Sequence, residues 1–124
     1  MLGGCGTTAD SALPDTGSKD CIRAYFEAVI HKDWTAAYAQ LHSDSKKLYS
    51  ASEFARRAEL YRTRFGFEPT SVHIRNCEER GDLATAKLEL SGSSVGRHHY
   101  KEAATLKRVE GEWLIVLPAR FGQK

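Results

Sequence analysis

Ala104-Thr105-Leu106-Lys107-Arg108-Val109, then Glu110-Gly111, then Glu112-Trp113-Leu114-Ile115-Val116-Leu117 reads as strand, turn, strand. A short Gly-containing turn between two β-rich runs is a hairpin signal. A two-residue loop at Glu110-Gly111 sets Leu106 opposite Ile115, Ala104 opposite Leu117 and Arg108 opposite Trp113. In that register Trp113, Ile115 and Leu117 share one face with Leu106 and Ala104, and a slip of one residue would carry the whole set to the other face. The hairpin is the expected floor of the core. Leu114 and Val116 then point the opposite way, beside Ala103, Thr105, Lys107 and Pro118. A contiguous apolar patch on a solvent-facing sheet calls for cover. A second copy across a two-fold axis supplies it most economically. The expectation is a homodimer through Leu114 and Val116, rimmed by Lys87, Lys101, Lys107 and Arg120.

Upstream of the hairpin, Val72 and Ile74 alternate with Ser71, His73 and Arg75. Ala84, Ala86, Leu88 and Leu90 alternate with Thr85, Lys87 and Glu89. Both are half-buried strand patterns. Their turn lies near Arg80-Gly81. A three-residue loop with a bulge is expected, because it places Val72 and Ile74 on the face of Leu88 and Leu90. That phase puts His73, Arg75 and Cys77 on the outer face and predicts no Cys21–Cys77 disulfide. The turn also explains Arg80-Gly81-Asp82 without an adhesion role. A Gly/Ser loop over 91–96 leads into a long strand from Arg97, on which His98, Tyr100 and Glu102 share the core-facing side.

Helical periodicity precedes the strands. Ile22, Tyr25, Phe26, Val29 and Ile30 form the stripe of a helix from about Lys19 to His31, with Ser18 as N-cap. Asp33 caps a second helix carrying Trp34, Ala37, Tyr38 and Leu41. Ser50-Ala51-Ser52-Glu53 fits a capping box for a third, whose stripe is Phe54, Ala58, Tyr61 and Phe65 and whose stop is Gly66. Asp44 to Tyr49 adds one helical turn between the second and third. Arg56, Arg57, Arg62 and Arg64 interleave with Glu53 and Glu59 and are expected to form a solvated face. Helices followed by antiparallel strands make an α+β fold.

At 124 residues the chain is one domain. A net charge of +2 offers no basic stripe for nucleic acid. No run approaches the ~20 apolar residues of a membrane span. Neither a Cys-x-x-Cys nor a His-x-x-x-His pair occurs, so no metal site and no cofactor is read from spacing. Leu2-Gly3-Gly4-Cys5 resembles the end of a bacterial lipoprotein signal, with Cys5 as the lipid-attachment residue and the rest of the signal trimmed from this sequence. Residues 1–17, polar and aperiodic, read as a flexible tether, and 18–124 as the domain. The expected location is then the outer membrane or periplasmic face, with membrane contact through the anchor. Without a trimmed signal it is the cytoplasm.

Tyr25-Phe26-x-Ala28, Asp33-Trp34-x-x-Ala37-Tyr38-x-x-Leu41, the helix start at Ser52-Glu53 and the closing Glu110-Gly111-Glu112-Trp113-Leu114-Ile115 resemble the nuclear-transport-factor-2-like superfamily, in its small bacterial lipoprotein form. The resemblance spans about Ala24 to Phe121. It implies a cystatin-like cone: three N-terminal helices packed on the concave face of a curved four-stranded antiparallel sheet. The superfamily holds enzymes, carriers and small secreted domains, so fold alone assigns no activity. Glu102 is the residue out of place, because a carboxylate on an apolar strand face must be paired, hydrated or protonated. The leading expectation is a non-catalytic cone that takes a small-molecule ligand or an envelope protein, its pocket lined by Tyr25, Trp34, Tyr38, Tyr100, Glu102 and Trp113. The alternatives are an acid–base isomerase, dehydratase or hydrolase using Glu102, its pKa raised by desolvation, with Tyr100 or His98, and a purely structural homodimeric module.

Overall fold

The computed structural model describes residues 15–92, 98–119 and 121. Among the described residues four helices precede four strands: α1 (Ser18–Ile30), α2 (Trp34–Ala39), α3 (Ser43–Leu48), α4 (Ala51–Thr63), β1 (Ser71–Arg80), β2 (Leu83–Gly92), β3 (His98–Val109) and β4 (Glu112–Val116). The strands form one curved antiparallel sheet in the order β1-β2-β3-β4. The fold is α+β as expected, and α3 is the additional turn read between the second and third sequence helices.

Local signals account for most boundaries. Asp33 Oδ1 accepts the Ala36 N–H at 3.1 Å and starts α2. Ser50 Oγ accepts the Glu53 N–H at 3.2 Å and starts α4. The Glu53 carboxylate itself is bound to Arg56 and Arg57. Gly66 ends the segment after α4 with φ of 75°. The α1 start differs from expectation. Its N-cap is Gly17, at φ 119° and without a side-chain cap. Ser18 lies inside the helix, with its hydroxyl on Glu79.

The closing hairpin has the expected register, Leu106 opposite Ile115 and Arg108 opposite Trp113. Glu110 and Gly111 both have positive φ, 53° and 85°. Those angles fit the mirror-image turn whose twist suits a two-residue hairpin. The outer edge of β4 is covered: Ile115 N–H donates to the Gln40 carbonyl at 2.8 Å, and His42 N–H donates to the Ile115 carbonyl at 2.7 Å. Such cover removes an exposed pairing edge.

The first hairpin corrects the sequence reading. Its loop is two residues, with Arg80 opposite Leu83, and the extra residue lies within β1, between Ile74 opposite Leu88 and Asn76 opposite Lys87. One inserted residue reverses side-chain parity. Val72 and Ile74 therefore face the helices, and so do Cys77 and Glu79, which are buried. Cys77 is thus on the inner face, contrary to expectation, with Sγ 3.2 Å from Ser18 Oγ. Cys21 and Cys77 are both free thiols, and burial pushes the Cys21 thiol up to about 12. At the far end of β2, a Cβ on Gly92 would stand 2.2 Å from the Glu68 carbonyl oxygen, so only glycine passes there.

Arg62 is a second correction. It is buried rather than solvated. Its guanidinium donates to the Val29 and Ile30 carbonyls at 3.0 and 2.8 Å, closing the end of α1, and also pairs with Glu68. Orphan carbonyls at a helix C-terminus are thereby satisfied by a buried cation.

Candidate functional site

β3 carries Tyr100 and Glu102 on its helix-facing side, as its alternation predicts. α4 brings Tyr61 against them, α1 brings Tyr25, and the chain after β4 returns Phe121. Tyr61 OH donates to Glu102 Oε2 at 2.7 Å, and Oε1 accepts the Ala103 N–H at 2.9 Å. The Tyr61 ring lies 5.3 Å from Phe121, 5.2 Å from Phe65 and 6.5 Å from Tyr100, the last edge-on. Tyr25 is 2% exposed and Tyr61 9%. A cavity of about 50 Å³ remains, lined by Tyr25, Phe26, Tyr61, Glu102, Leu117 and Phe121 and, where its lining is exposed, by Ala103 and Pro118.

The phenols here are held in their protonated form. Burial raises the pKa of Tyr25, and the Glu102 carboxylate raises it further. Tyr61 is pushed well up by burial first, then by the Glu102 charge and hydrogen bond. Tyr100 moves the same way for the same two reasons, against a smaller opposing effect of Arg64. A phenoxide beside a carboxylate in a desolvated site is disfavoured twice over. The cluster therefore has neutral hydrogen-bond donors around one acid.

The structure gathers some of the expected residues and disperses others. Tyr25 and Glu102 line the cavity, and Tyr100 stands outside its lining, edge-on to Tyr61. Trp34 Nε1–H donates instead to Glu59 of α4 at 3.2 Å. Tyr38 OH donates to the Tyr49 carbonyl at 2.9 Å. Trp113 sits beside the start of α1, its Nε1–H on Thr16 Oγ1 at 2.9 Å and the Arg108 guanidinium over its ring at 5.0 Å. His98 stacks on Phe67, with ring centroids 5.4 Å apart. Tyr61 holds the place expected of Tyr100 or His98. By its spacing in the sequence it reads as a core residue of the α4 stripe. A buried tyrosine hydroxyl needs a partner, and Glu102 needs a donor, so matching these two unmet demands was the available signal.

Glu79 is a second acid that the sequence reading missed, because the β1 bulge decides its direction. Its carboxylate accepts the Thr16 N–H and hydroxyl at 2.9 Å each, the Ser18 N–H at 3.3 Å and the Ser18 hydroxyl. It thus caps α1 from the sheet. Thr16 and Gly17, read as part of the tether, are joined to the domain here. The rest of the expected 1–17 tether through residue 14, Cys5 included, lies outside the described residues.

The outer sheet face carries a larger, open trough of about 430 Å³, walled by Arg75, Lys87, Glu89 and Lys101. Leu88, Glu102 and Ala103 also line it, so it adjoins the Glu102 cavity, but neither Tyr25 nor Tyr61 lines it. Leu114 and Val116 are on this face and half-buried within a single copy. Arg120, expected on the rim, lies outside the described residues. No cluster of three metal-ligating side chains occurs among the described residues. No helix among them is long and apolar enough to cross a membrane.

No protein-family profile matches the chain, and no curated protein matches it. Solved structures do. A SEC-C motif containing protein from Rhodopseudomonas palustris superposes with a TM-score of 0.63 at 12% identity, over 82% of this chain and 77% of its own. A Campylobacter jejuni protein named as an NTF2-like (nuclear-transport-factor-2-like) transpeptidase superposes with a TM-score of 0.61 at 12% identity, over 81% of this chain and 97% of its own. At such identity the likeness is one of fold, and in fold this chain is similar to an NTF2-like protein.

Proposed function

We propose that this chain is a cell-envelope lipoprotein of the nuclear-transport-factor-2-like type, whose cone binds a ligand without transforming it. The observation that carries the binding reading is the cavity beside Glu102. At about 50 Å³ it falls well short of the roughly 300–1,000 Å³ of a site that encloses a whole small molecule. It has room for one functional group, and the donors and rings around it give that group a defined chemistry. The second reading, an acid–base enzyme, is favoured by the Tyr61–Glu102 hydrogen bond, which gives Glu102 the partner such a mechanism needs.

Nuclear magnetic resonance mapping tests binding. A panel of cationic, neutral and anionic small molecules is titrated into the Cys5→Ser protein. Binding at the cone shifts the amides of Tyr25, Tyr61, Glu102 and Ala103 without chemical change in the ligand. Turnover of a panel member would replace this reading with the enzymatic one.

The anchor has its own test. Expressed from a complete gene, the protein partitions into membranes and Cys5→Ser releases it. Equal solubility of the two forms removes the anchor.

A further inference from the structure

We propose that the cavity at Glu102 is a receptor for a methylated ammonium head group, with Glu102 as counter-charge and the rings of Tyr25, Tyr61 and Phe121 as walls. The inference rests on the binding reading above and names the chemistry of the group bound.

Glu102 has no cationic partner among the described residues; its bonds come from Tyr61 and from the Ala103 N–H. Arg64 lies close enough to act on the Tyr100 phenol, and the guanidinium groups of Arg57 and Arg62 are committed elsewhere. Arg57 donates to Glu53 and to the Phe121 carbonyl and lies over the Tyr49 ring. Arg62 is spent on the end of α1 and on Glu68. A half-buried carboxylate in an apolar setting without a counter-ion is costly, and a ligand cation would relieve that cost.

The rings argue for an organic cation rather than a metal. Aromatic faces attract a cation through their quadrupole, and methylated ammonium groups are bound in aromatic cages for that reason. Calcium and magnesium demand six or more oxygen ligands and zinc three or four protein ligands, and this cavity offers one carboxylate. One carboxylate in the lining matches a monovalent head group. Ala103 and Pro118 are the exposed residues of the lining, and the rest of such a ligand is proposed to leave the cone past them.

The test is titration of tetramethylammonium and of choline into the full chain carrying Cys5→Ser, followed by the amides of Tyr25, Tyr61, Glu102 and Ala103. The neutral isostere of choline, 3,3-dimethyl-1-butanol, and sodium chloride at matched ionic strength are the controls. Both cations shift these amides, and the isostere binds roughly tenfold more weakly, the scale of a desolvated cation–π and ion-pair contribution. Glu102→Gln keeps an acceptor for Tyr61 and removes the charge, and it abolishes that preference. Phe121→Leu keeps apolar bulk, removes a ring, and weakens the cations more than the alcohol. Equal binding of alcohol and cation in the wild type overturns the ammonium assignment and leaves the binding reading standing. Shifts with no probe, across the diverse panel as well, remove both.

Discussion

Trp113→Ala lowers the unfolding free energy by about 3–5 kcal/mol, the usual cost of truncating a large buried aromatic. Trp113 is 5% exposed and stands opposite Arg108 in the closing hairpin. Its loss empties the space under the start of α1, where its ring carbon lies 3.6 Å from the position a Gly17 Cβ would take. It also removes the hydrogen bond to Thr16 Oγ1 and the ring under Arg108. A domain of this size is stable by only about 5–15 kcal/mol, so the change consumes a large share. Urea denaturation measures it. A loss below about 1 kcal/mol, the scale of a surface substitution, would contradict the burial of this ring.

Glu79→Ala has an effect of similar size for a different reason. Glu79 is 8% exposed and its carboxylate accepts from two backbone N–H groups and two hydroxyls at the start of α1. Gly17 offers no side chain to take over as cap. Each buried donor left unmatched costs about 1–3 kcal/mol, and water reaching the emptied site offsets part of the sum. A loss of about 2–4 kcal/mol is expected. Hydrogen exchange should show it concentrated in the first turn of α1. Exchange rates there equal to the wild type would mean that the cap carries no stability.

The same residue gives the fold an acid sensitivity. Burial by itself would raise the Glu79 pKa, but the hydrogen bonds from Ser18 and Thr16 outweigh it and hold the carboxyl below its ordinary value. A depressed folded-state pKa contributes stability above the unfolded value, about 4.3 for glutamate, and that contribution is lost as the pH falls through the folded value. The wild type therefore loses stability below about pH 4.3. In Glu79→Gln this part of the acid loss is absent, and its denaturation curves at pH 7 and pH 3.5 lie closer together. Parallel acid losses in the two proteins would assign the effect to other carboxylates.

Local signals carried what the sequence by itself determined: the α+β order, the Asp33 and Ser50 caps, the stripes of α1 and α4 and the register of the closing hairpin. Each rests on residues a few positions apart, and Glu110-Gly111 sets the pairing of β3 with β4 because turn length and period-2 alternation leave one register that buries Trp113. That register also turned Glu102 inward correctly. The direction of Cys77 and Glu79 depended instead on where β1 takes in its extra residue, at Arg75 rather than at the turn, and either placement satisfies the pattern of Val72 and Ile74. The partner of Glu102 was equally beyond local reading. Tyr61 is 41 positions away, on a stripe where an aromatic ring serves the core whether or not its hydroxyl finds an acid. Only the packing of α4 across β3 brings the two together, because a hydrogen bond between distant elements depends on their relative placement and leaves no periodic trace in either one.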